Sequence, residues 1–271
     1  MAVQDVIDFA GAWRTNHGIL DDRVLSEAEL TQFATDLQAQ IQQLSIAPPA
    51  GSPNASLLLY NGTTGELPSW QAAKLIAEQS NGKYFYISQT EAGLLLNDDD
   101  FRAAVRYAVG DVEGGDRLID GEFADGHRTS RYGVGDILAV NDFVSQRLVA
   151  AASGDVTTLT THNVDPTRVF AMTELPALLE NPNVTAINGI PISVFQRLQA
   201  VGVSTEHMLT LIKGSSLLRG GSFEVLLPGK TEKITLFEMN RTWRDPSTSI
   251  VDILRDSKLI LKTADVVDNL G

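Results

Sequence analysis

Apolar positions recur at helical spacing over two stretches near the N-terminus, residues 3–14 and 26–45. In the second, Leu30, Phe33, Leu37, Ile41 and Leu44 fall on one face, and Ser26 followed by Glu29 forms a capping box. "APPAGSPNAS" (47–56) is a turn or linker by composition. The pattern then shortens. "LLLY" (57–60) is a continuous apolar run followed by the polar "NGTTGELPS", which predicts a buried strand ending in a loop. Residues 69–80 return to helical spacing, and "KYFYIS" (83–88), aromatic and β-branched, predicts a second strand. "TEAGLLL" and residues 99–109 predict helix again.

Residues 110–135 are glycine-rich and show little periodicity, which predicts a long loop or mobile lid. "VNDFVSQRLVAAASG" (140–154) predicts a helix closed by Gly154. "DVTTLTTH" (155–162) predicts a third strand and "NVTAING" (183–189) a fourth. Strands alternating with helices at this spacing predict a parallel sheet of the α/β class. From residue 191 the texture changes. Two helices are expected, "PISVFQRLQAVG" and "STEHMLTLIKG", the latter capped by Ser204. A hairpin turning at Pro228–Lys230 and a last helix, "SIVDILRDSKLIL", capped by Ser247 or Ser249, complete the chain. The expected organisation is a helical N-terminal lobe plus a small, mainly parallel sheet lobe over residues 1–190. A C-terminal α+β extension would cover residues 191–271.

Composition narrows the chemistry. A chain of 271 residues, 43% hydrophobic and 20% charged, can bury a core without staples. There is no cysteine, which excludes a disulfide scaffold, a Cys nucleophile and a Cys-based zinc site. His17, His127, His162 and His207 are scattered, so no metal site is expected from histidine spacing. The net charge of −13 argues against non-specific binding to nucleic acid or anionic membranes. No run approaches the roughly 18 apolar residues of a membrane helix. The opening "MAVQDVIDFAG" lacks a basic segment and a long apolar core, so no signal peptide is expected. The expected location is the cytoplasm or export by a specialised route.

The common nucleotide cradles are missing: no GxGxxG follows a strand, and no GxxxxGK[ST] occurs. "NDDD" (97–100) lacks the spacing of a calcium loop and reads as a helix start. No GxSxG elbow is present. "PSTS" (246–249) matches one motif of toxin-type ADP-ribosyltransferases, but no Glu-x-Glu follows it.

"VFAMTELPALL" (169–179) is different. Glu174 is its only charge, in what reads as the end of a buried strand broken by Pro176. A buried carboxylate is costly unless paired. A solvated strand end or helix N-cap is one reading, and a functional acid is the other.

The order of segments favours the functional acid. "LLLYNG", "YFYISQTEAGLLL", "VNDFVSQRLVAAASGDVTTLTTH" and "RVFAMTELPALL" follow one another across roughly residues 5–190. This order resembles the ADP-ribosyl cyclase and NAD glycohydrolase family, including its bacterial toxin-domain members. The family's strand-end aromatic is matched by Tyr60, and its Thr-x-x-Gly turn by Thr90 and Gly93. Its Ser-bearing helix is matched by Ser145, and its catalytic segment by Phe170 to Glu174. The resemblance implies cleavage of the nicotinamide–ribose bond, with NAD as substrate and no separate cofactor.

Glu174 would then be catalytic, and Tyr60, Gln89, Thr90, Ser145 and Phe170 would bind substrate. Tyr60 would stack on the nicotinamide ring, with Trp70 and Tyr132 behind it, and Ser145 would meet the pyrophosphate. The toxin resemblance also implies a dedicated inhibitor protein in the producing cell.

Several positions depart from the family. Tyr60 stands where Trp is usual, Asn141 where the family carries a second aromatic, and Ser88 and Gln89 replace an acidic pair. An inactive binding protein on the same fold is therefore the alternative. A second segment, "GGSFEVL" (220–226), also resembles the catalytic one and makes Glu224 the rival carboxylate. Glu174 is preferred because it follows the third strand and precedes Pro176, whereas Glu224 falls within an expected hairpin.

Overall fold

A computed structural model describes residues 2–61, 63–64, 67–124, 127–129, 137–160, 168–215, 224–226 and 233–235. The expected last helix, with Ser247 and Ser249, lies outside these residues, as do Tyr132 and the turn at Pro228–Lys230. The chain divides into two compact units. The first comprises Met1–Pro49, Ile87–Ala151 and Thr167–Glu174, and the second Ala50–Tyr86, Ala152–Pro166 and Leu175–Gly271. The described residues from 191 onward fall in the second unit by this division.

The first unit is mainly helical. It contains α1 (Val3–Asn16), α2 (Glu27–Ile41), α4 (Glu91–Leu96), α5 (Asp99–Val109), α6 (Val112–Asp120) and α7 (Val140–Ala150). A short hairpin, β5 (Glu122–Ala124) with β6 (His127–Thr129), follows α6. Its core gathers one face of each helix, with Trp13, Phe33, Leu37, Phe101, Leu118 and Val144 all buried. The capping box at Ser26 is made: Glu29 N–H donates to Ser26 Oγ, and Ser26 N–H to Glu29 Oε2 at 2.9 Å. Two buried or half-buried arginines close helix ends. Arg147 donates to the Ile41, Gln42 and Leu44 carbonyls at 2.7–2.9 Å, satisfying the C-terminus of α2. Arg14 donates to the carbonyls of Ala108, Asp21 and Arg23.

The expected loop at 110–135 is helical over Val112–Asp120. Asp111 caps this helix by accepting from Gly114 N–H at 2.6 Å, and Leu118 and Ile119 are buried. Gly115 here serves packing. A Cβ on Gly115 would sit 2.7 Å from the Arg106 Cα, so only glycine lets α6 approach α5 this closely. Residues 125–126 and 130–135 of the expected lid lie outside the described residues.

The second unit carries a five-stranded sheet, mostly parallel, of the expected α/β kind. Its strands are β1 (Ser56–Asn61), β4 (Tyr84–Phe85), β7 (Gly154–Thr160), β8 (Val184–Ile187) and β9 (Ile190–Pro191), in the order β4-β1-β7-β8-β9. Only β9 runs antiparallel, to β8. Leu57, Leu58 and Leu59 are all buried, as expected of a parallel strand covered on both faces. Helix α3 (Ser69–Gln79) connects β1 to β4, preceded by the short pair β2 (Thr63–Thr64) and β3 (Leu67–Pro68). Helices α8 (Leu175–Glu180), α9 (Ile192–Ala200) and α10 (Thr205–Ser215) follow β7. The antiparallel pair β10 (Glu224–Leu226) and β11 (Lys233–Thr235) supplies the two arms of the expected C-terminal hairpin.

Two boundaries differ from expectation. Helix α7 ends at Ala150, and Gly154, with φ of 72°, opens β7 instead of closing the helix. Its N–H goes to the Asn183 carbonyl at 2.8 Å, which ties the start of β7 to the segment entering β8. The run around Glu174 is also helical and not a strand end. Phe170–Glu174 forms a π-helical turn that passes directly into α8. Proline removes one intrahelical donor, and the wide turn before Pro176 takes up that irregularity.

Candidate functional site

Glu174 closes the π turn, and its side chain is buried within the helical unit. The turn lays Thr173 and Glu174 against α7, where Asp142 and Ser145 stand three residues apart and so share a face. The Ser145 hydroxyl donates to the Glu174 carboxylate. The Thr173 hydroxyl donates to Asp142 Oδ1 at 2.5 Å. Asp142 is fully buried and sits in the first turn of α7, where the helix dipole favours negative charge. Two buried carboxyls, each bonded by a hydroxyl, therefore face each other across the α7–π-turn contact.

Electrostatics distinguish Glu174. Burial pushes its carboxyl up to about 7; the Ser145 hydrogen bond pulls the other way and neighbouring Asp142 pushes up again. Near neutral pH the group is thus poised between acid and carboxylate.

Of the residues expected to act together, the structure brings together Ser145 and Glu174. Phe170 starts the same π turn and is buried in the helical unit. Thr90 is the N-cap of α4: its hydroxyl accepts from Gly93 N–H at 3.0 Å and donates to the Ile87 carbonyl at 2.7 Å. A Cβ at Gly93 would collide with the Ile87 carbonyl, so the Thr-x-x-Gly pattern is accounted for by a tight helix start. Gln89 lies half-buried in the 3-10 turn Ile87–Gln89 before that cap. Neither residue sits at the end of β4, which stops at Phe85. Asn141, at the family's aromatic position, donates to Asp120 Oδ1 at 2.7 Å, and Arg102 grips the same carboxylate with two bonds of 2.9 Å.

Tyr60 belongs to the sheet unit. It is half-buried near the end of β1, its ring 6.4 Å from that of Tyr86 at an interplanar angle of 57°. Burial, with nearby Glu78, pushes the Tyr86 phenol upward. Trp70, at the start of α3, is half exposed. Glu224 opens β10 opposite Thr235.

Sequence reasoning missed Asp142 and Thr173. The signal was present in the three-residue spacing of Asp142 and Ser145 on one helix and in the Thr-Glu pair, both legible only once the π turn is known. No group of three or more His, Asp or Glu residues suited to holding a metal ion occurs among the described residues. No described helix is long and apolar enough to cross a membrane. No protein-family model matches the chain, and no curated protein matches it.

Proposed function

We propose that the protein cleaves the nicotinamide–ribose bond of NAD, as an NAD glycohydrolase or ADP-ribosyl cyclase of bacterial toxin type. The observation that carries this reading is the Glu174 carboxyl, buried and poised near 7 beside Ser145 and Asp142. Breaking this bond leaves positive charge on the ribose, and nicotinamide departs as a neutral group, so no strong general acid is required. A carboxylate out of water attracts such a cation far more strongly than a solvated one. The cationic nicotinamide ring itself favours the ionised form of Glu174, so binding substrate would help strip its proton. Ser145 holds the carboxylate in place. Whether ADP-ribose or a cyclic product forms depends on whether water or the adenine reaches the ribose carbon first. On the toxin reading, a dedicated inhibitor protein protects the producing cell.

One observation favours a second reading, an inactive binding protein on the same fold. Asn141, where the family places an aromatic, is committed to the Asp120–Arg102 network. Nicotinamide release from NAD by the purified chain separates the two. The first reading expects release, lost about a hundredfold or more in Glu174→Gln, while Glu224→Gln stays within roughly threefold, the scatter of a surface change. Reversed results move the catalytic role to Glu224. No release by the wild type leaves the binding reading.

A further inference from the structure

In the sheet unit, strand order reverses at one place. The chain goes from β1 to β4 on one side, then returns to place β7 on the other side of β1. Open parallel sheets bind ligands beyond the carboxyl ends of the strands at such a switch point. The residues at that edge are Asn61, last in β1, and Thr160, last in β7, which are register partners. Tyr60 precedes Asn61 and faces the opposite side of the sheet.

Asn61 is the anomaly. Its side chain is 7% exposed, and its amide nitrogen has no hydrogen-bond partner among the described residues. A buried amide left unsatisfied destabilises the protein that carries it. The preceding residues on the same strand face, Leu57 and Leu59, are apolar and buried. A strand terminus that keeps such a donor at the switch point keeps it for something that arrives.

We infer that the carboxyl end of β1 and β7 is a nucleoside site, in which Asn61 Nδ2 donates to a neutral acceptor of the sugar or base and Tyr60 offers its ring. The donor is uncharged, and a single neutral amide does not offset the desolvation of a phosphate. The net charge of −13 opposes anions further. A ribose hydroxyl, ring nitrogen or carboxamide oxygen suits it, and a half-buried tyrosine suits a flat base. A ligand lying across the strand ends meets Tyr60 from one face of the sheet and Asn61 from the other. The inference does not rest on glycosidic cleavage, because the nucleoside would be held whether or not it is cut.

The test is calorimetric titration of the full chain with adenosine, NAD and pyrophosphate, alongside thermal melting without ligand. Adenosine and NAD should bind the wild type. Asn61→Ala and Asn61→Leu should each weaken both about tenfold, the worth of one buried hydrogen bond. Their unliganded melting temperatures should equal or exceed the wild type's, since an orphaned amide has been removed. Adenosine binding alone identifies a free nucleoside as the ligand, and NAD binding alone a dinucleotide; both support the site. The inference is overturned if neither binds, if the variants bind as the wild type does, if pyrophosphate binding is lost in parallel, or if both variants melt lower.

Discussion

A set of polar side chains in the helical unit and one amide in the sheet unit stand in opposite positions. In the first, Arg14, Arg147, Thr90 and Ser145 are each committed to a named neighbour, and their loss would be felt as lost stability. In the second, Asn61 holds a buried donor with no partner among the described residues. Glu174 belongs to the first unit yet behaves like the second: it has a partner in Ser145, but burial and Asp142 still push it towards neutrality. The difference teaches how to sort such residues. A polar group whose requirements are met belongs to the scaffold, and one left out of balance is where a functional reading is worth testing.

The comparison breaks or sharpens on how stability follows pH. Folding raises the Glu174 carboxyl from 4.5 to about 7, so the folded protein binds more protons than the unfolded chain between those values. Stability from this group is therefore lost as pH rises from about 4.5 to about 7, and stays flat above; the loss is about 3 kcal/mol. Glu174→Gln does not suffer it. Denaturant melts should show the variant more stable than wild type by up to about 3 kcal/mol at pH 8 and close to it at pH 4. Equal stability at both pH values would make Glu174 an ordinary scaffold residue.

A smaller effect tests the sheet unit. Tyr60→Ala should weaken NAD binding by roughly 1–3 kcal/mol if the ring stacks on a base, measured by calorimetry on a variant that still folds. Unchanged binding would assign Tyr60 to packing against Tyr86 alone. The smallest effect belongs to the scaffold. Thr90→Ala removes the cap of α4 and should cost about 1 kcal/mol of stability with nicotinamide release unchanged. A large loss of release at unchanged stability would return Thr90 to the site.

Much of the fold was legible because local chemistry and burial agreed. The Ser26–Glu29 box, the Leu57–Leu59 run and the helix at Ser69–Gln79 all lie where the pattern put them. Three features were not, each for a physical reason. Gly115 looked like a loop residue, but its smallness is used for close helix packing, which composition cannot distinguish from flexibility. The run at 169–179 is apolar on every side, so period alone could not separate a strand from a buried helix, and the π turn that aims Glu174 leaves no sequence mark of its own. The turn between β8 and β9 was readable and passed over: Asn188 and Gly189 both have positive φ, 54° and 76°, the usual chemistry of a tight hairpin. Within the site, Glu174 and Ser145 were found by order along the chain, while Asp142 and Thr173 appear only when α7 and the π turn meet.

The most direct test of the account is the pH dependence of nicotinamide release at NAD concentrations well below saturation, between pH 5 and 9. On the proposed reading, cleavage needs the ionised Glu174. The initial rate should be flat above about pH 7 and fall about tenfold per pH unit below it, following the raised carboxyl. No release at any pH, or a rate that stays flat down to pH 5, would contradict it.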